Sequence, residues 1–116
     1  MLLGCSGGGT TTTADLSGKG SLVELAAMLK DIGSQKKKVP GKLSEMEPYD
    51  PAYPVAYSSI ARGEIVYFWG NGLGSGSTII AHEKKAPTEG GWVLLQDSTV
   101  KEMTAAEFAS ADKAKK

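Results

Sequence analysis

The chain has 116 residues, enough for one domain with a modest core, and a formal net charge of zero from 13 basic and 13 acidic side chains. That balance argues against a nucleic-acid partner, which calls for a basic excess. No apolar run reaches the roughly 18 residues of a membrane span, and a single cysteine cannot supply an internal disulfide.

The first element in chain order is Met1-Leu2-Leu3-Gly4-Cys5, followed by a Gly/Ser/Thr-rich run to Thr13. Leu2-Leu3-Gly4-Cys5 resembles a bacterial lipobox, the site where a signal peptide is cut and the cysteine acylated. The small Gly4 admits the peptidase, and the Cys5 thiol takes the diacylglyceryl group. Each buried methylene contributes about 0.8 kcal/mol, so two or three acyl chains hold a protein at a membrane. Ser6 to Thr13 is too polar and too glycine-rich to pack and reads as a tether. A full leader has a basic segment and an apolar segment of roughly 7–15 residues. Only Met1, Leu2 and Leu3 precede Gly4 here, so a start placed downstream of the true one, or a trimmed chain, is expected. The domain reading is residues 1–19 as lipobox remnant and flexible tether, 20–111 as a single α+β domain, and 112–116 as a frayed Lys-rich tail.

Leu22, Leu25, Leu29 and Ile32 recur at helical spacing, flanked by Ala26 and Met28. Ser21 with Glu24 reads as a capping box at the start of this helix, and Gly33 as its stop. Lys36, Lys37 and Lys38 then sit near the negative end of the helix dipole as a solvated connection. Ser44 to Glu47 reads as one helical turn. Glu47 to Tyr57, with Pro48, Pro51 and Pro54 between Tyr49, Tyr53 and Tyr57, reads as an extended loop wrapped on the core.

The period changes to two after residue 63. Strands are expected at 64–69, 78–83, 92–96 and 100–103, with a glycine-rich loop at 70–77, a turn at 84–91 and a tight hairpin at Asp97-Ser98-Thr99. Thr104 and Glu107 form a capping box for a last helical turn, which Phe108 anchors on the sheet. The predicted fold is therefore α+β: an N-terminal helix packed on a four-stranded antiparallel meander, closed by a short C-terminal helix.

This order is similar to the globular part of type IV pilins and pseudopilins, over residues 20–110. The stretch Val93-Leu94-Leu95-Gln96-Asp97-Ser98-Thr99-Val100 resembles the "V-L-F-A-D-G-x-V" pattern of pilin-like proteins from planctomycete-type bacteria. Asp97-Ser98 stands where that pattern has Asp-Gly, and a lipobox stands where a pilin has its apolar assembly helix. The resemblance implies a lipid-anchored bacterial envelope protein on a pilin-like scaffold.

Candidate chemistry is sparse. Gly70 to Ser77 invites a phosphate-loop reading, but no Gly-Lys-Ser/Thr follows, and Thr78-Ile79-Ile80 reads as a strand rather than a helix start. His82 is the sole histidine and reads as a surface or sheet-edge residue, with Glu83 on the opposite face of its strand. No catalytic residue, metal site or cofactor is expected. Trp69, Trp92 and Tyr67, with Phe68, form the best candidate ligand platform. The expected role is a lipid-anchored, extracytoplasmic, non-enzymatic domain with a structural or assembly function, held by the membrane and serving an envelope protein partner. The alternative is an envelope lipoprotein that presents an aromatic and Gly-rich edge to a peptide or glycan. A concave pocket lined by Trp69 and Trp92 would favour the alternative, and His82 beside a buried carboxylate and a hydroxyl would favour a hydrolase.

Overall fold

The computed structural model describes residues 18–114. Cys5 and the tether lie outside them. The fold is α+β. Helix α1 (Lys19–Ser34) leads to a single turn α2 (Leu43–Met46), a 3-10 turn (Glu47–Tyr49) and helix α3 (Pro54–Ala61). Strands β1 (Ile65–Tyr67) and β2 (Ile79–Glu83) follow, then a one-turn helix α4 (Ala86–Glu89), strands β3 (Gly91–Leu95) and β4 (Val100–Met103), and helix α5 (Ala105–Ser110). The strands pair in chain order, each antiparallel to the next. Among the described residues, no helix is long and apolar enough to cross a membrane.

The sheet is covered on both faces. On one face the α1 stripe of Leu22, Leu25, Met28, Leu29 and Ile32 packs with Ile65, Tyr67, Ile80, Ala81 and Leu94. On the other, Ile79, Val93 and Leu95 pack with Ala86 of α4 and Phe108 of α5. A β-bulge in β2 makes this possible. Ile79 pairs with Leu95 and Ala81 with Leu94, so Ile80 is an extra residue. Ile80 and Ala81 both face α1, while Ile79 and His82 both fall on the α5 side. Four consecutive residues of β2 are buried as a result, where a strand covered on one face would alternate.

Several local readings are corrected. Ser21 does not cap α1. The helix begins at Lys19 with Gly18 as N-cap, and Ser21 is buried inside it, its hydroxyl 2.7 Å from that of Ser59 in α3. Glu24 does cap a helix, but not its own. Its Oε1 accepts the N–H groups of Val55 and Ala56, at 2.7 and 3.0 Å, and so satisfies two of the free donors at the start of α3. Residues 54–61 are that helix, not extended loop. Pro54 occupies its first turn, where its fixed φ suits a helix and its missing N–H costs nothing. Tyr53 closes the same joint by donating its hydroxyl to Asp31 Oδ2 at 2.7 Å, and this bond lifts the Tyr53 phenol above its ordinary range.

Gly33 is not the helix stop. The amide of Lys36 bonds Gly33 O and that of Lys37 bonds Ile32 O, the paired bonds of a Schellman ending. The left-handed residue of that motif is Lys36, at φ 55°, so the glycine sits inside the helix and a lysine holds the position that favours glycine. The 112–116 tail is also corrected for its described part. The backbone leaves β2 after the Phe68 N–H bonds Ile80 O, which frees the edge of β2 at Ile79. Ile79 N–H bonds Asp112 O, Ala114 N–H bonds Ile79 O, and the tail docks there as a parallel bridge.

Two outcomes follow from the joints. Glu24→Ala should lower stability by about 1–2 kcal/mol, since it strips the cap from α3, whereas Glu24→Gln, which keeps an acceptor oxygen, should lose less than half of that; urea unfolding of both variants separates the two. Gly33→Ala should raise stability by about 1 kcal/mol. An added Cβ at that position meets nothing within 4 Å, so a destabilised Gly33→Ala protein in the same urea series would contradict the helix ending described above.

Candidate functional site

The residues expected to form one ligand platform fall at two ends of the sheet. Tyr67 pairs with Ala81, and Trp69 follows it past the end of β1. Trp92 lies beside Glu83, to whose side chain it donates its amide. The levels of Trp69 and Trp92 differ by about four residues along β2, on the order of 13 Å, and one strand, β2, lies between theirs. Tyr67 is buried at 2% exposure, its phenol donating to the carbonyl of Asn71, and burial pushes its ionisation far up. It is a core residue that supports Trp69, whose ring meets it edge-on at 5.0 Å.

The glycine-rich loop beside Trp69 is tied down through its own backbone. Gly70 N–H bonds Pro40 O, Gly74 N–H bonds Gln96 O, and the Asn71 amide donates to Phe68 O. Gly74 and Gly76 pass so close to the Gln96 side chain that a Cβ at either would sit at 3.3 or 2.9 Å from it. The amides of Gly70 and Gly74 are therefore spent on the fold, and the loop enters β2 rather than a helix.

At the Trp92 end, the Glu83 carboxylate is wedged between two backbones. Its Oε1 accepts the Trp92 N–H at 2.8 Å. A Cβ on Gly91 would stand 2.7 Å from the same oxygen, and a Cβ on Gly18 would stand 2.6 Å from Oε2. Gly18 is the N-cap of α1 and has no side chain with which to cap it. The carboxylate thus brings negative charge to the positive end of that helix. Lys19 lays its ammonium 5.2 Å from the Trp92 ring centroid, a cation–π contact that shields the indole face.

Two shallow grooves open at this end. One, of about 300 Å³, is lined by Glu64, Glu83, Lys84 and Lys85. The other, of about 280 Å³, is lined by Lys85, Glu89, Glu102 and Glu107 together with Gly90 and Gly91. Both mix ammonium and carboxylate groups. Glu64 is held by Arg62 in a two-pronged pair at 3.1 Å, and that hydrogen bonding keeps its carboxyl below the usual range. Glu107 is committed to the capping box with Thr104. Among the described residues, no three His, Cys, Asp or Glu side chains gather closely enough to hold a metal ion.

His82 is neither at the surface nor at the sheet edge. It lies in β2, an interior strand, with 6% exposure. Its ring is held between Phe68, at 5.6 Å, and Phe108, at 4.7 Å. Its Nδ1 meets the Glu83 carbonyl at 2.7 Å. A carbonyl oxygen can only accept, so Nδ1 carries the proton and Nε2 does not. The shift from surface to core follows from the bulge and from the docked tail, neither of which leaves a mark in the residue order. The roles missed altogether are Glu24 as the cap of a remote helix and Glu83 as the acceptor of the Trp92 amide beside Gly18. Pro54 followed by a helix-compatible run was the signal available for α3.

Gly90 lines the second groove. It has φ +79°, and a Cβ there would meet Met103 O at 2.7 Å, a backbone atom that cannot turn aside. Gly90→Ala should therefore cost about 2 kcal/mol or more. A thermal or urea midpoint equal to that of the parent would show that the 90–91 turn tolerates another path.

No protein-family model matches the chain, and no significant match was found among curated proteins or solved structures.

Proposed function

We propose that this chain is a lipid-anchored, extracytoplasmic, non-enzymatic domain with a structural or assembly role in a bacterial envelope, attached through Cys5. The observation that carries the non-enzymatic part is where its chemically able side chains are spent. Glu24 closes α3, Glu107 closes α5, Glu83 holds the Trp92 amide, Glu64 pairs with Arg62, and His82 is buried between two phenylalanines. General acid–base work needs such groups within reach of a substrate and of each other. The anchor rests on the resemblance of Leu2-Leu3-Gly4-Cys5 to a lipobox. The pilin-like reading is supported by the order of one long helix followed by an antiparallel meander.

A second reading is binding of a peptide or glycan at the aromatic and Gly-rich edge. Its support is Trp69, which remains partly exposed beside a loop whose backbone is pinned and therefore pre-organised. The separation of Trp92 from Trp69 reduces that edge to one indole.

The deciding experiment is the intact mass of the N-terminal peptide, from protein made in its native host with the full upstream reading frame. A diacyl or triacyl adduct on Cys5, with residues 1–4 removed, is the expected result. An unmodified Met1 and a free thiol would overturn the lipoprotein reading.

A further inference from the structure

We infer that His82 is an acid-sensitive latch: protonation of its imidazole at Nε2 releases α5 and the docked residues 111–114 from the sheet, while the α1 face stays folded. The segment's hold on the sheet is narrow. Phe108 is the single buried residue of α5, and its ring meets His82 edge-on at 4.7 Å. Beyond α5, the tail is tied by two backbone bonds to Ile79, three residues before His82 on the same strand. Latch and tie thus share one strand of the sheet.

Among the described residues, no counter-charge is at hand for an imidazolium in this place. Phe68 faces the ring from the end of β1, Val93 is its pairing partner on β3, and Phe108 faces it from α5. Charged groups stand on each packed element. Glu83 directs its carboxylate to the Trp92 amide, and Glu107 directs its own to Thr104. Asp112 on the tail and Lys101 on β4 are exposed, and Lys85 and Glu89 flank the buried Ala86 of α4, themselves exposed. Lys113 acts on the ring, and it has the same sign as the imidazolium; its ammonium lies 4.6 Å from the Phe108 centroid. Acid therefore places a positive charge in an apolar sandwich next to a second positive charge.

The direction of the effect follows. Burial, with a smaller contribution from Lys113, depresses the closed-state ionisation of His82, against a raising effect of the Glu83 carbonyl. An open segment exposes the ring to water, where histidine titrates near its ordinary value of about 6.5. The open state then binds the proton more tightly than the closed one. Closure is complete above about pH 6.5 and weakens as pH falls from there towards the lower closed-state value, by up to about tenfold in the opening constant per pH unit. Opening uncovers Ile79, Val93 and Leu95, which α5 and the tail otherwise cover.

The test is amide hydrogen exchange on the full chain at about pH 7.5 and about pH 5, corrected for intrinsic rates. Protection across residues 105–114 should fall severalfold in acid while that of α1 holds, and His82→Phe should leave both regions insensitive to pH. Unchanged protection of 105–114, a parallel loss in α1, or an equal acid response in His82→Phe would each overturn the latch. If His82→Phe does not fold, titration of the wild-type imidazole by NMR decides. The ring must titrate over the same pH range in which 105–114 opens, and a ring that titrates while the segment stays closed overturns the proposal.

Discussion

The extra residue at Ile80 is the constraint from which the rest of the molecule follows. A regular β2 would place Ile79, Ala81 and Glu83 on one face and Ile80 and His82 on the other. The bulge instead reverses the alternation partway along the strand, so Ile80 and Ala81 supply the α1 face, and Ile79 and His82 supply the opposite one. Glu83 is carried onto the α1 side, where its carboxylate reaches Gly18, Gly91 and the Trp92 amide. Two small cores then replace one large one, and each needs its own cover.

The covers differ in strength. Helix α1 presents a continuous apolar stripe and is joined to α3 by the buried Ser21–Ser59 contact, the Glu24 cap and the Tyr53–Asp31 bond. Burying a stripe of five leucine-sized side chains contributes on the order of 10 kcal/mol before entropy is charged against it. The opposite cover rests on Phe108 and Ala86 with a short tail. This asymmetry lets one side of the sheet open while the other holds, and it places the sole histidine at the weaker side.

A few carboxylates here serve as joints. Glu24 caps a helix remote in sequence, Glu107 caps its own, and Glu83 accepts the Trp92 amide in the neighbouring strand. The free edge strand β4 carries Lys101 and Glu102. A second copy paired antiparallel about a two-fold axis at either residue would set that charge opposite itself, and like charges directly opposite are destabilising. In those registers the edge is blunted against self-association.

What the sequence by itself determined is whatever depends on neighbours within about four positions. The Leu22 to Ile32 stripe follows the helical period, and the four strands follow alternation and β-branched content. The Thr104–Glu107 box and the Asp97-Ser98-Thr99 hairpin are local hydrogen-bond motifs. Ser98, at φ 76°, fills a position that favours glycine. Tertiary structure decided the rest. Ser21 and Glu24 have the spacing of a capping box, yet they face α3, because the chain returns Ser59 and the start of α3 to that side of α1. Three prolines marked a loop, yet Pro54 opens a helix, because Glu24 supplies the acceptor its first turn needs. The tail docks because β1 ends early and leaves the Ile79 backbone open to pairing. His82 is buried because a one-residue bulge turns it towards Phe108, a contact between residues 26 positions apart that no local pattern encodes.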